Sequence, residues 1–400
     1  MLERLISRAG WTRVAFGDVV RKVNDKVDPW DSGLERYVAG EHMDTDDLRI
    51  RRWGLIGDDY LGPAFHMRFK PGHVLYGSRR TYLRKVALAD FEGITANTTF
   101  VLETKDPTRL MPDLLPFLMQ TEAFHSYSIK HSKGSVNPYI NFSDLEAFEF
   151  QLPPIQEQAR MVDLLKGAEA TTEALRSVVA AAKILRQATI DHFSRISHRP
   201  FVPLGEICEM QNGRPFPGDE YQRQGPRLLR PGNLGVNGYF KWDDGATVCL
   251  PARFEAEAAA FVVDAGDVVI NLTAQSLEEG FMGRVCLARE GDRSLLNQRI
   301  GRFQGFSEDF SPEFIFRVLQ SSRFQNHAVR MCEGSKIKHL FWQHLAPFCV
   351  PKLEAEEQEA VISTGRAIDA QLDGAQSRLA SAMLDRARLF DLTQDEEVSV

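Results

Sequence analysis

A cluster of basic side chains near residue 80 is the part of this sequence best suited to binding an anion. Arginine pairs bidentately with guanine, and both arginine and lysine bind phosphate. The cluster follows the strand-like stretch GHVLYGS and includes one aromatic ring. A solvated loop is the alternative interpretation. We interpret the cluster as a DNA-contacting surface that binds mostly phosphate, formed by Arg79, Arg80, Tyr82, Arg84 and Lys85.

Further polar and basic side chains occur in turn-rich segments. Amide and hydroxyl groups can read base edges, and a basic residue beside a backbone turn suits phosphate binding. Ordinary polar loops would have the same composition, so that alternative stays open. The remaining predicted DNA-contacting residues are Lys133, Ser135, Arg227, Arg230, Asn233, Asn271, Thr273, Gln275, Lys336 and Lys338.

Two short patterns resemble catalytic motifs but lack what the chemistry needs. Asn137, Pro138 and Tyr139 are one proline short of the Asn-Pro-Pro-Tyr box of amino-methyltransferases, and no glycine-rich cofactor loop accompanies them. Asp90 and Glu103, with Lys105, match a nuclease pattern in which carboxylates bind Mg²⁺, but this spacing is common by chance. We therefore expect no catalytic residues in this chain.

The composition predicts a globular protein of several domains. The chain has 400 residues, of which 43% are apolar and 26% charged. Its net charge of −7 argues against nucleic-acid binding, but the acidic excess is concentrated in residues 351–400. A local basic face is therefore compatible with the overall charge.

The cysteine and histidine patterns predict neither a metal site nor a disulfide framework. The five cysteines are widely spaced without a CxxC pair, and the ten histidines show no paired metal spacing. There is no signal-like N-terminus, and no apolar run reaches the roughly 18 residues of a membrane span. These patterns favour a reducing, cytoplasmic location.

The sequence contains two copies of one plan, separated by about 200 residues. FKPGHVLYGSRR at 69–80 matches VDAGDVVINLTA at 263–274, and FEFQLPPIQEQ matches FCVPKLEAEEQ. In this alignment Gly134 lies opposite Gly334, and Gln158 lies opposite Gln358. The repeat predicts two similar globular units.

Each copy ends in a long pattern of apolar residues at steps of three and four, which is typical of a coiled-coil seam. No proline interrupts either pattern, so residues 155–193 would form one helix about 58 Å long. Arg386 alone interrupts the apolar seam of the second copy. The predicted seam residues are Met161, Leu165, Ala168, Leu175, Val179, Val361, Ile368, Leu372, Leu379 and Leu389.

Between the long helices the pattern is mixed. KPGHVLYGS, TTFVLE, GDVVINL and MGRVCLA have strand character, and PDLLPFLMQTEAFHSYSI and SPEFIFRVLQSSRFQNHAV are typical of amphipathic helices. We predict an α+β fold in which two similar mixed α/β units are held apart by two long antiparallel coiled-coil helices. The units would be related by an internal pseudo-twofold repeat.

This plan resembles the DNA specificity subunits of type I restriction–modification systems. The segment KGSVNPYINFSDLEAFEFQLPPIQEQARMV at 133–162 resembles the link between a target-recognition domain and its helix in that family. Residues 69–102 resemble the core of the recognition domain. The second copy departs from the pattern, with GSKIKHLFWQHL in place of GSVNPYINFSDL.

The resemblance implies a protein without chemistry of its own. Each recognition domain would read one half of a bipartite, asymmetric site in double-stranded DNA, and the helix pair would fix the spacer. Two methyltransferase subunits would dock on the helices and carry S-adenosylmethionine, so this chain would bind no cofactor. Restriction (motor-nuclease) subunits can join such a complex.

The resemblance also implies domain boundaries. The two target-recognition domains would span residues 1–152 and 199–350. The central helix would span 153–198, the C-terminal helix 351–393 and an acidic tail 394–400. Two alternatives remain open: a standalone or type IIB-like specificity subunit without a restriction partner, and a coiled-coil scaffold that binds only protein.

Overall fold

The computed structural model describes residues 10–58, 61–195, 199–277 and 280–391. The predicted acidic tail at 394–400 lies outside these residues. The chain divides into two compact units, the first comprising Met1–Arg176 and Ser377–Val400 and the second Ser177–Gln376. Each unit contains part of each long helix, so the boundaries of the units do not coincide with those of the predicted domains, which remain a prediction.

In the first unit, two four-stranded sheets have the orders β2-β9-β6-β7 and β4-β3-β8-β5, and β1 pairs with β10. Only β3 and β8 run parallel among these pairs of the described strands. The strands are β1 Thr12–Ala15, β2 Val20–Lys22, β3 Arg36–Val38, β4 Gly54–Leu55, β5 Phe65–Phe69, β6 Val74–Gly77, β7 Val86–Leu88, β8 Gly93–Ala96, β9 Thr99–Thr104 and β10 Glu149–Leu152.

The second unit has a similar arrangement. Its four-stranded antiparallel sheet has the order β12-β19-β15-β17, a second sheet has the order β13-β18-β14, and β11 pairs with β21 and β16 with β20. The strands are β11 Phe201–Pro203, β12 Glu209–Asn212, β13 Gln222–Leu229, β14 Val262–Val263, β15 Val268–Asn271, β16 Thr273–Ala274, β17 Val285–Leu287, β18 Ser294–Leu296, β19 Ile300–Gln304, β20 Lys338–His339 and β21 Cys349–Pro351.

One sheet in each unit is covered on both faces, because successive strand residues point in opposite directions. Val74 and Tyr76 of β6 pack with the helices, and Leu75 packs with the other sheet. In the second unit Val268 and Ile270 of β15 pack with the helices, and Val269 packs on the opposite side. The predicted mixed α/β character is confirmed.

The helical patterns at 112–129 and 311–329 each form two helices rather than one. The break comes where a hydroxyl side chain caps a new helix, as serine and threonine favour. Thr121 accepts a hydrogen bond from the backbone N–H of Phe124, and Ser321 accepts one from that of Phe324. The short helices are α1 Phe16–Val19, α2 Leu115–Leu118, α3 Glu122–Lys130, α4 Phe142–Glu146, α6 Leu204–Ile207, α7 Arg253–Glu257, α8 Pro312–Leu319, α9 Ser322–Met331 and α10 Trp342–Leu345.

The two long helices lie within the predicted ranges 153–198 and 351–393, and the central helix matches the predicted stretch 155–193. The central helix α5 runs from Ile155 to Phe193 and the C-terminal helix α11 from Ala355 to Asp391. Every predicted seam residue is buried or half-buried. In the first unit Arg386 pairs with Glu169, and in the second the Arg186 Nε lies 2.7 Å from an Asp369 carboxylate oxygen.

A buried glutamine fixes each long helix to its globular part. The Gln158 side chain donates to the carbonyls of Arg109 and Pro153, each at 2.8 Å, and accepts from the Met111 N–H at 2.9 Å. Gln358 makes the same set of bonds, donating to the carbonyls of Asp309 and Leu353 and accepting from the Ser311 N–H. Each side chain thus satisfies backbone groups that have lost their contact with water.

Replacing Gln158 with alanine should destabilise the first unit by about 2–4 kcal/mol, because the substitution leaves buried backbone groups without partners. Urea denaturation followed by circular dichroism measures the effect. Gln156 lies on the same helix but is exposed, so Gln156→Ala is the matched control and should be nearly neutral. Equal midpoints for the two variants would contradict the anchoring role.

Candidate nucleic-acid interface

The predicted basic cluster forms one loop, residues 79–85, directly after β6. Arg79, Arg80 and Tyr82 have exposed side chains, whereas Thr81 is buried and holds the loop against the unit. Arg80 adopts a left-handed backbone with φ +50°, which is uncommon for a residue with a side chain. The loop therefore presents its first two arginines outward on a locally constrained backbone.

The basic loop is hydrogen-bonded to a second segment, the Gly-Ser turn at 133–140. The Arg80 N–H donates to the Pro138 carbonyl at 2.5 Å, and the Ile140 N–H donates to the Ser78 carbonyl at 3.0 Å. Lys133 and Tyr139 exchange backbone hydrogen bonds that close the turn. The structure thus brings Arg79, Arg80 and Tyr82 together with Lys133 and Ser135, as one surface of the first unit.

The cations of this surface differ in their availability. Arg84 lies 2.8 Å from an Asp46 oxygen and 2.7 Å from a Glu122 oxygen, so intramolecular partners offset its charge. The Lys85 ammonium donates to the Gly40 carbonyl, and Lys133 pairs with Asp144 at 2.9 Å. Within the described part of the chain, neither Arg79 nor Arg80 has a carboxylate at ion-pair distance. These two arginines are the groups best placed to bind an anion.

The second unit builds an equivalent surface from different side chains. Thr273 pairs with His339 in a two-stranded sheet, and the Leu340 N–H donates to the Leu272 carbonyl at 2.9 Å. A second Gly-Ser turn, residues 333–340, is closed by backbone bonds between Glu333 and His339. It carries the predicted residues Lys336 and Lys338, which therefore lie beside the polar loop 272–277 with Thr273 and Gln275.

The prediction that Asn271 reads base edges is wrong. Its side chain is completely buried at the end of β15. The amide group donates to the carbonyls of Thr273 and Phe281, each at 2.8 Å. Both amide hydrogens are used to shape the polar loop, so Asn271 supports that loop from inside and cannot contact a base.

The three predicted residues at 227–233 lie in another part of the second unit. The Arg227 guanidinium stacks 4.3 Å from the centre of the Trp242 ring and donates to the Gly291 carbonyl. Asn233 caps its own turn by accepting from the Arg230 N–H at 3.0 Å and donating to the Lys241 carbonyl at 3.2 Å. Arg230 alone of the three has an exposed side chain.

The rejected nuclease pattern does not form a site. Glu103 pairs with Arg21 at 2.8 Å, and the Lys105 ammonium donates to the Gly17 carbonyl. Among the described residues, no group of histidine, cysteine, aspartate and glutamate side chains is arranged to hold a metal ion. None of the helices in the described ranges is long and apolar enough to cross a membrane.

Two features of the first surface were missed by sequence reasoning. Val136 is 89% exposed at the tip of the Gly-Ser turn, where an apolar group could contact a thymine methyl. Asp46, on a loop far from residue 80 in the sequence, holds Arg84. A glycine beside a serine does signal the turn, but the pairing of Asp46 with Arg84 has no signal in the sequence.

Beneath Arg84 lies a buried histidine, His125, which is 1% exposed. Burial lowers its pKa to about 3, and the positive charge of Arg84 acts in the same direction. Asp46 lies 3.9 Å from the ring, too far for a hydrogen bond. His125 is therefore neutral at pH 7, and its contact with Asp46 is not an ion pair.

The sequence and the fold both match known proteins. A family model described as a type I restriction modification DNA specificity domain matches residues 10–178. The specificity subunit of the type I restriction enzyme MjaVIII from Methanocaldococcus jannaschii is 24% identical over 298 residues, covering 70% of this chain and 68% of that protein.

Two solved structures share the fold over nearly the whole chain. The type I restriction–modification S subunit from M. genitalium is 15% identical, covers 97% of both chains and gives a TM-score of 0.55. A chain from a structural description of complex assembly and conformational transition in the type I R-M system is 18% identical, covers 96% of both chains and also gives 0.55. At these identities the likeness establishes the fold alone.

Acid should destabilise the first unit through His125. The pKa of this side chain is lower in the folded state than its unfolded value of about 6.5, so the neutral side chain favours folding fully above that value. Stability should fall by as much as about 1.4 kcal/mol per pH unit as pH drops below about 6.5. Urea titrations of the parent and of His125→Leu between pH 7 and 5 measure this slope, which the substitution should flatten. An unchanged slope, equal to that of the control His131→Leu, would contradict a buried neutral His125.

Proposed function

Because the chain belongs to the family of type I restriction–modification DNA specificity subunits, we propose that it reads a bipartite, asymmetric DNA sequence for partner subunits. Each unit would read one half of the site. Specificity subunits of these systems are non-catalytic, and catalysis lies in the partner subunits. Such a subunit would act in the cytoplasm.

The observation that carries this proposal is a shared backbone surface with different side chains. In the first unit the loop after β6 is hydrogen-bonded to a Gly-Ser turn, and in the second unit the loop after β15 is bonded in the same way. The first unit places Arg79 and Arg80 on that loop, and the second places Thr273 and Gln275 there. One scaffold bearing different polar groups suits two readers of different half-sites, since base edges are distinguished by the donors and acceptors they meet.

We further propose that the two long helices form an antiparallel coiled-coil pair and relate the units by a pseudo-twofold axis. Supporting this, Arg386 pairs with Glu169 within the first unit, and the positions 200 earlier and later, Arg186 and Asp369, pair within the second. Because a helix is a rigid rod, such a pair would fix the spacing between half-sites, as dimer geometry does in other DNA-binding proteins.

The helices are also the proposed docking site for two methyltransferase subunits. Ile184 is 71% exposed and Leu384, its counterpart in the repeat, is 62% exposed. Two equivalent exposed apolar side chains on long helices suit two copies of one partner. S-adenosylmethionine would bind to the methyltransferases, and restriction subunits can join the complex. A scaffold that binds only protein would not need the outward-facing Arg79 and Arg80.

The DNA face of the first unit is tested by changing Arg79 and Arg80 singly to alanine. A phosphate contact should weaken binding to all sequences alike and reduce the salt slope by about one unit. A guanine contact is worth about 1–3 kcal/mol of discrimination and would relax preference at one position of one half-site. Binding is measured at several salt concentrations on cognate and single-mismatch DNA.

We expect at least one of the two variants to show the phosphate behaviour. The matched control is Arg13→Ala, because that exposed arginine of the first unit lies 2.6 Å from a Glu149 oxygen and is not part of the basic loop or the Gly-Ser turn. If both Arg79→Ala and Arg80→Ala bind cognate DNA like the parent at every salt concentration, the proposed DNA face is wrong.

The docking proposal predicts a defined stoichiometry. Native mass spectrometry of the chain co-expressed with its methyltransferase should give two methyltransferase subunits per copy, because the helices offer two equivalent positions. Ile184→Asp should lower the occupancy to one, while Gln156→Asp, at an exposed position of the same helix, should leave it at two. A parent complex containing a single methyltransferase would refute the two-site arrangement.

A further inference from the structure

A loop at residues 44–52 of the first unit, here the bracing loop, touches both the basic loop and the long helices. It follows β3 and lies in the sequence far from either partner. Its contacts with the basic loop are made by side chains and backbone together. The Thr45 hydroxyl donates to the Leu83 carbonyl at 2.9 Å, and the Asp46 N–H donates to the Arg84 carbonyl at 3.4 Å.

Asp46 is the centre of these contacts. Its carboxylate lies 2.8 Å from the Arg84 Nε, and the two residues also share the backbone bond. Among the described residues other than glycine, only Asp46, Arg80 and Arg84 have positive φ. Such conformations persist only where surrounding contacts hold them. All the described non-glycine residues with a left-handed backbone therefore lie in the basic loop or in the bracing loop.

The next residues fix the bracing loop to the central helix. Asp47 is 4% exposed and accepts hydrogen bonds from Arg51 at 2.8 Å and from Arg176 at 2.7 Å. Arg51 also donates to the Glu173 carboxylate through its two terminal guanidinium nitrogens, at 3.0 and 2.5 Å. Burial alone would raise the pKa of Asp47, but its hydrogen bonds with Arg51 and the nearby arginines hold that pKa below the ordinary value.

The C-terminal helix reaches the same loop through Arg386. One arm of its guanidinium pairs with Glu169, and the other donates to the Asp46 carbonyl at 2.6 Å. The same residue, Asp46, thus binds Arg84 of the basic loop with its side chain and Arg386 of the helix with its carbonyl.

We propose that Asp46 is a positioning residue for DNA reading, holding the basic loop through Arg84 and tying it to the C-terminal helix through Arg386. This inference rests on the proposed function of the basic loop. It applies to the first half-site only. In the second unit Arg186 donates to the Asn237 carbonyl, as Arg386 donates to the Asp46 carbonyl, but Asn237 carries no charge.

Electrostatics and positioning predict opposite effects for removing the Asp46 charge. A carboxylate near DNA repels phosphate, so Asp46→Asn would strengthen binding if the carboxylate acted only by its charge. Asparagine tolerates the left-handed backbone as well as aspartate does, so the loop should keep its path. If Asp46 positions Arg84 and its neighbours, the substitution weakens cognate binding despite removing a negative charge.

The experiment measures binding of Asp46→Asn to cognate DNA, to DNA altered in either half-site and to unrelated DNA. We expect cognate affinity to fall about two- to fivefold, the range expected for a partly exposed ion pair. The lost discrimination should be confined to one half-site, with binding to unrelated DNA unchanged or tighter. Asp44→Asn is the control, since Asp44 pairs with Arg52 at the surface of the same loop.

Two further variants separate positioning from folding. Asp46→Asn combined with Arg84→Gln should be no worse than Arg84→Gln alone, because Asp46 has then already lost the side chain that it positions. Arg386→Lys keeps a charge for Glu169 but loses the second arm, and it should reduce discrimination at the same half-site. Its counterpart Arg186→Lys should leave that half-site unaffected.

The outcomes distinguish this inference from the proposed function. If Arg79→Ala and Arg80→Ala leave cognate binding unchanged, the basic loop does not contact DNA and both proposals fall. If those variants weaken binding while Asp46→Asn binds cognate DNA as tightly as the parent or more tightly, only the positioning role is overturned. Equal loss at both half-sites would also overturn it.

Discussion

A charged pair buried in each unit, between segments of the two long helices, constrains how those segments pack. An arginine in an apolar seam is tolerated only when paired, because an unpaired buried charge costs about 3–5 kcal/mol. Arg386 meets Glu169 in the first unit, and Arg186 meets Asp369 in the second. A shift of one helical turn would separate both pairs. Within each unit the charged pair fixes one helix segment against the other, and the buried Gln158 and Gln358 tie their helices to the turns at 109–111 and 309–311.

The long helices, the strands β6 and β15 and the equivalent positions of Gln158 and Gln358 could be predicted because each depends on a local sequence pattern. Uninterrupted periodicity and the absence of proline mark α5 over its full length, and short apolar runs that follow a glycine mark β6 and β15. The breaks at Thr121 and Ser321 were missed, although hydroxyl residues there are cap signals. The long apolar patterns favoured one continuous helix in each unit, whereas a single capping hydrogen bond ends one helix and begins the next.

The candidate surface was predictable in composition but not in the availability of its charges. Arg84 is held by Asp46, which lies 38 residues earlier, and Lys133 by Asp144, which lies 11 later. The Asn271 amide group already donates to the carbonyls of Thr273 and Phe281. These intramolecular bonds arise from tertiary packing, so the number of basic residues in a sequence segment overstates the positive charge available to a ligand.

The glutamine anchors have an evolutionary consequence. All partners of Gln158 lie within residues 109–158, and those of Gln358 lie within 309–358. The bonds to Gln158 from outside its own helix run to backbone groups, which any sequence supplies. Genetic exchange of the segment before residue 109 would therefore bring in a new basic loop while leaving the bonds of the glutamine anchor intact. The anchor therefore tolerates replacement of the part of the first unit that carries the basic loop.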